Sequence, residues 1–240
     1  MQSKAVLVLS TAFVFASASM VDAQISNVTM LPSRFSFGGD FAISQPKGEF
    51  ASNVPNGYGF DLTGMFKIDP AGYFNIRADV GGVQYGRETQ RVNFPNTGRV
   101  SLDVETDNRI GFGAIGTQLQ IPNGWFRPYA NAAIAATYFW TESSLSGTDN
   151  TGTAFTTTNF DDWSHAWVFG GGVMIPFGKS IGALNLGARY HYGAHARYLR
   201  EGDITDNPDG TININPRSSK TDLVLWQLGV SFTIPRPTRQ

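Results

Sequence analysis

Leu184-Asn185-Leu186-Gly187-Ala188-Arg189-Tyr190-His191-Tyr192-Gly193-Ala194-His195-Ala196-Arg197 is the stretch that decides how the chain is read. Leu184, Leu186, Ala188, Tyr190, Tyr192, Ala194 and Ala196 alternate with Asn, Gly, Arg and His. Period two puts the two sets on opposite faces of a β-strand. Residues 223–234 repeat the pattern through Val224, Trp226, Leu228, Val230, Phe232 and Ile234. So do 58–68, through Tyr58, Phe60, Leu62, Phe66 and Ile68, and 74–83, through Phe74, Ile76, Ala78 and Val80. Segments at about 34–44, 109–121, 126–141 and 164–177 bring the set to eight strands. In 109–121 the apolar parity switches between Phe112 and Ile115, which predicts a bulge or a shifted strand boundary.

The links between strands alternate in length. Asp69-Pro70-Ala71-Gly72, Pro122-Asn123-Gly124 and Phe177-Gly178-Lys179-Ser180 are short turns. The links at about 45–56, 86–108, 142–162 and 198–221 are long and polar. That alternation predicts an up-and-down meander with its long loops all at one end.

Volume settles which face points outward. An eight-stranded barrel has a bore just wide enough to be filled by side chains. Tyr58, Phe60, Phe66, Phe74, Tyr190, Tyr192, Trp226 and Phe232 are too bulky for it, whereas the Gly, Ala, Ser and Asn of the opposite faces fit. The apolar faces of the four clearest strands also carry no charge, which at a bilayer midplane would cost about 2–4 kcal/mol. The fold class expected is therefore an all-β, eight-stranded antiparallel up-and-down transmembrane β-barrel. Aromatic girdles are expected at Trp140, Trp163, Trp167, Tyr198 and Trp226 on the long-loop side, and at Tyr73, Trp125, Phe126, Phe177 and Phe232 on the other.

Composition agrees and narrows the function classes. The chain has 240 residues, no cysteine, and 18 Lys+Arg against 19 Asp+Glu. Near-zero net charge argues against nucleic acid as a partner. Without cysteine there is no disulfide framework, thiolate zinc site or lipid anchor on sulfur. Residues 1–23 read as an export signal, with Lys4, an apolar Ala5–Ala18 run and small residues at Val21 and Ala23. The apolar run is too short to span a bilayer, which takes about 20 residues. The expected mature chain, 24–240, is then one barrel domain.

With strand count, signal and alternation in hand, the chain resembles the small outer-membrane β-barrel family of the opacity proteins, outer-membrane protein W and the barrel domain of outer-membrane protein A. The resemblance rests on Phe126-Arg127-Pro128-Tyr129-Ala130 opening a strand and Asn185-Leu186-Gly187-Ala188-Arg189-Tyr190 in another. The last strand resembles the family's assembly signal at Gln227, Gly229, Phe232 and Ile234, although its final position is Ile and the chain continues through Pro235–Gln240. The resemblance implies outer-membrane lipid and the barrel-assembly machinery as partners, and four surface loops that could meet an extracellular ligand or host surface.

By parity the bore receives Asp40, Asp61, Lys67, Arg77, Asp79, Arg127, Arg189, His191, His195 and Arg197, with Asn75, Asn131, Asn185 and Gln227 between them. Buried charges persist only when paired or hydrated. A salt-bridged network closing the bore is expected, with Arg77 and Arg189 facing Asp40, Asp61 or Asp79. The alternative is a narrow solute path lined by the same groups.

Catalytic patterns are weak. Small lipid A deacylases of this architecture use a His-x-Ser pair on one strand, but here Ser164 and His165 are adjacent and point to opposite faces. On a strand, His191 and His195 stand about 13 Å apart, too far to share a metal. Asp161-Asp162 reads as solvated loop carboxylates. Gly111-Phe112-Gly113-Ala114-Ile115-Gly116 matches a dinucleotide fingerprint by letters alone, since no helix follows. Asp206-Asn207-Pro208-Asp209-Gly210 lacks the first acid and last Glu of a calcium loop. The sequence therefore predicts a protein without catalysis, cofactor or metal, with a structural or surface-interaction role. A small-solute channel ranks second and a lipid-modifying enzyme third.

Overall fold

Among the described residues thirteen elements follow one another, and twelve of them are strands. A computed structural model describes residues 30–93, 101–147, 153–177, 181–207 and 211–237. The expected signal at 1–23, the turn residues 178–180 and residues 208–210 of the calcium-like stretch lie outside the described residues. The strands are β1 Met30–Pro46, β2 Gly57–Lys67, β3 Phe74–Asn93, β4 Ser101–Gln120, β5 Arg127–Gly147, β6 Thr153–Phe177, β7 Gly182–Gly193 and β12 Leu223–Pro237. Four short ones fall between the last two: β8 His195–Tyr198, β9 Ile204–Asp206, β10 Ile212–Ile214 and β11 Arg217–Lys220. One helical turn, α1 Gly48–Ala51, joins β1 to β2.

Each long strand pairs antiparallel with its neighbour in the chain, and β12 pairs with β1 to close an eight-stranded barrel. The alternating faces turn as the volume argument requires. Phe60, Leu62, Val80, Ile115, Ile134, Phe169, Trp226 and Leu228 point outward and are exposed, while Asp61, Asp79, Asn131, Arg189 and Gln227 point inward and are buried. An apolar exterior around a filled interior fits lipid.

The strands are longer than the sequence alternation reveals. β6 runs 25 residues and β5 runs 21, against about 9–11 needed to cross a bilayer. The supposed loops 86–108 and 142–162 are largely strand, and β3 to β6 project beyond the apolar belt as paired ribbons. There the ladder carries polar cross-strand pairs, such as Arg87 with Glu105 at 3.2 Å, Arg91 with Asp103 at 2.9 Å and Thr106 with Ser143 at 2.8 Å. Such pairs stabilise a sheet that water meets on both sides and leave no hydrophobic period to read.

Two parity readings need correction. In β4 the register against both neighbours runs unbroken from Arg109 to Gln120, without a bulge. Ile110 and Phe112 instead point into the bore, at 1% and 7% exposure. The run 184–197 does break, at Ala194, where β7 ends and β8 pairs with β11. A one-residue slip exchanges the faces. Ala196 and Tyr198 are therefore buried, and Tyr198 belongs to no girdle.

The turn at Asp69 fixes the opposite rim. Gly72 adopts φ +81° and donates its N–H to the Asp69 carbonyl. The Asp69 carboxylate accepts the N–H of Phe74 at 2.6 Å and of Tyr73 at 3.0 Å. These bonds, Phe74 first, hold its carboxyl below the ordinary range.

A depressed carboxyl contributes stability at neutral pH that is lost as pH falls through its folded value. The Tyr73 and Phe74 amide resonances should therefore titrate together below about pH 3.9 and stay flat in Asp69→Asn, as NMR of the refolded protein would reveal. On the lipid face, Leu62→Arg at the middle of β2 should cost about 2–4 kcal/mol in urea unfolding from lipid vesicles. Thr89→Arg, on the ribbon outside the belt, should cost little.

Candidate functional site

The bore is filled in two layers. In the lower layer, Arg77 and Asp79 leave β3 two residues apart and so share its inner face. The Arg77 Nε donates to Asp79 Oδ1 at 2.8 Å, its Nη1 to Gln118 Oε1 at 2.9 Å and its Nη2 to Thr63 Oγ1 at 3.1 Å. Arg189 enters from β7, four strands away around the ring, and places Nη1 at 3.0 Å from Asp79 Oδ2 and 3.7 Å from Asp61 Oδ2. All four charged side chains are within 2% of complete burial. The Gln227 amide donates to Asp61.

The two segments that carry the family resemblance meet here. Tyr129, from β5, donates its hydroxyl to Asn185 Oδ1 at 2.9 Å, and Asn185 donates to Asp40 Oδ1 at 2.7 Å. Tyr129 has room because Gly187 and Gly172 lack side chains; a Cβ there would stand 2.4 and 2.6 Å from its hydroxyl. Gly229 matters in the same way, since its Cβ would lie 2.1 Å from the Gly39 carbonyl and 2.4 Å from the Asp40 carboxylate.

The upper layer is apolar, which the alternation does not predict. Val83, Tyr85, Ile110, Phe112, Phe139, Leu223 and Leu225 turn inward and bury together. Phe50 of α1 joins them at 0% exposure, edge-on to Tyr198 at 5.0 Å and to Phe139 at 6.0 Å. Phe139 lies on β5, diametrically across the ring from the β1–β2 connection that carries Phe50. The Tyr85 hydroxyl donates to the Leu199 carbonyl at 2.7 Å, so the segment after β8 also crosses the mouth. His191 marks the border of the layers, edge-on to Phe112 at 5.5 Å.

Of the ten residues expected in the bore, Asp40, Asp61, Arg77, Asp79, Arg189 and His191 are buried there. Lys67 and Arg127 sit at the short-turn rim, half-buried, and Arg127 donates to the Gly124 carbonyl rather than to a carboxylate. His195 and Arg197 are exposed on the outer face, because the slip at Ala194 turns them out. Arg197 lies 3.8 Å from Asp162 and over the Phe160 ring. Phe50 was missed because it stands alone in a polar link; a single Phe in Lys47-Gly48-Glu49-Phe50-Ala51-Ser52 was the signal available. In the last strand Gln227 is buried, whereas Phe232 and Ile234 are exposed on the lipid side. Ser164 donates to the His195 carbonyl at 3.3 Å, and His165 faces the other way. Among the described residues no group of three or more His, Asp or Glu is placed to hold a metal ion.

No family model and no curated protein matches the sequence. Solved structures do match its shape. Neisserial surface protein A is 14% identical, with a TM-score of 0.51 over 85% of this chain and 99% of that one. The attachment invasion locus protein of Yersinia pestis is 11% identical, with a TM-score of 0.47 over 85% and 100%. The N-terminal barrel domain of Pseudomonas aeruginosa OprF is 12% identical, with a TM-score of 0.38 over 85% and 100%. At 14% identity the likeness to Neisserial surface protein A concerns architecture alone, and it agrees with the closed ring and outward apolar belt: the chain has the fold of the small outer-membrane β-barrels.

Proposed function

We propose that this chain spans the outer membrane as a closed, non-conducting and non-enzymatic barrel, and acts through structure and through what it presents outside. The observation that carries this reading is the double filling of the bore. The charged layer joins opposite walls through Arg77, Asp79 and Arg189, and the Phe50 layer covers it at the mouth. Eight strands leave no width for a path around both. The projecting ribbons of β3 to β6 and the segment between β7 and β12 then form the working surface, where a rigid scaffold usually carries binding. Export through the 1–23 signal and insertion by the barrel-assembly machinery belong to the same reading. Phe232 and Ile234, lipid-facing on the strand that seals the ring, suit such an insertion signal.

Planar-bilayer recording of the refolded protein tests it directly. A silent membrane is expected; discrete, reproducible openings would make transport the leading function. Phe50→Ala should lower stability by about 3–5 kcal/mol yet leave the membrane silent, since the charged layer still fills the bore. Arg77→Ala, which strips Asp79 of its closest partner, should cost about 3–5 kcal/mol in equilibrium unfolding. An unchanged midpoint would mean that the charged layer contributes nothing to the fold.

A further inference from the structure

Above the Phe50 layer the projecting ribbons enclose space. A cavity of about 240 Å³ opens between β3, β4, β5 and β6 on one side and the β9–β10 hairpin on the other, beside a second of about 220 Å³. Asn108 and Arg200 border both. Two strand slips build the polar wall. In β3 the pairing passes from Gln84 to Gly86 and skips Tyr85, so Glu88 and Gln90 line the cavity. In β6 it passes from Phe160 to Thr158 and skips Asn159, which lines the cavity with Thr157. Bulges of this kind re-aim side chains, and they recur at functional rims.

The lining has a definite chemistry. Thr141 donates to Asn108 Oδ1 at 2.6 Å, Asn159 donates to Ser143 Oγ at 2.6 Å, and Thr106 bonds to that same oxygen at 2.8 Å. Hydroxyls and planar amides are thus preset, each with donor or acceptor capacity left over. The charges nearly balance. Glu88 accepts from Gln90 and from the Gly202 N–H. Arg200 has its nearest carboxylate, Asp203, at 3.6 Å, and that carboxylate is engaged by Arg217 at 3.0 Å. Val104, Ile204 and Ile212 add an aliphatic side. Neither a strongly anionic nor an apolar molecule matches this set. The volume is below the roughly 300–1,000 Å³ of a drug-sized site, so the ligand is about one ring in size.

We propose that this vestibule binds one pyranose ring of a carbohydrate, its hydroxyls held by the Thr, Ser, Asn and Arg200 groups and its C–H face against the aliphatic side. The proposal deepens the surface-interaction reading and rests on it. The ring arrives either as a free sugar or as the end of a glycan, and the recognition chemistry is the same.

Saturation-transfer NMR and calorimetry on the refolded full chain would test it. The probes are the methyl glycosides of glucose, galactose and mannose, and N-acetylglucosamine, with cyclohexanol as the apolar ring control. Saturable binding of at least one sugar and none of cyclohexanol is expected. Ser143→Val and Arg200→Met should each weaken it about tenfold, through loss of a preset hydrogen bond. A tetrasaccharide ending in the bound ring and binding more tightly than the glycoside would identify a glycan end; equal affinity would identify the free sugar. No saturable binding by any of the four sugars to a barrel folded by circular dichroism overturns the proposal. So does binding that neither substitution changes. Conductance is read separately, so an open pore would sink the closed-barrel reading without deciding the vestibule.

Discussion

Asp79 lies between two arginines that come from opposite walls of the barrel, and much of the interior is arranged around that fact. A buried carboxylate is tolerable only with close, well-directed partners. Arg77 reaches it along its own strand, and Arg189 reaches it from across the ring. Around these three, Thr63 donates to Asp79, Gln118 accepts from Arg77, and Asp61 approaches Arg189 and accepts from Gln227. Such a cluster resists sliding of one strand past its neighbour, because a one-residue shift would carry a charge to the lipid face.

The two layers answer different surroundings. Below, polar groups from seven strands interlock in a bore that eight strands make narrow. Above, aromatic and aliphatic groups cluster at the mouth, and Phe50 of a four-residue helix is buried among them. Outside the belt the ribbons continue as solvated sheet held by polar cross-strand pairs.

Legibility in the sequence followed the solvent. Where one face meets lipid, alternation is strong, and β2, β7 and β12 could be placed from Tyr58, Tyr190 and Trp226 with their faces correctly assigned. Asp61, Arg77, Asp79 and Arg189 followed from parity alone. Parity carries no information past a slip, so it places His195 and Arg197 inward although the break at Ala194 turns them out. The same blindness hid the vestibule, whose walls depend on the slips at Tyr85 and Asn159. The parity switch between Phe112 and Ile115 has another cause than a bulge: the upper bore is itself apolar, so Ile110 and Phe112 face inward in an unbroken register. Beyond the belt Thr157 and Glu105 carry no hydrophobic period, and strand there reads as loop.

The seam between β1 and β12 carries a consequence for the order of folding. Every other pairing in the ring joins strands that are neighbours in the ring's chain order, and those can form as hairpins; the seam joins residues near 40 to residues near 229. Asp40 draws its amide partner Asn185 from far along the chain, and Asp61 draws Gln227. Until the last strand arrives, these carboxylates face an open, wet sheet and gain little from order. Closure brings Asn185 to Asp40 and Gln227 to Asp61. A ring still open at this seam therefore differs from the closed one by exposed charge as well as by an unpaired edge.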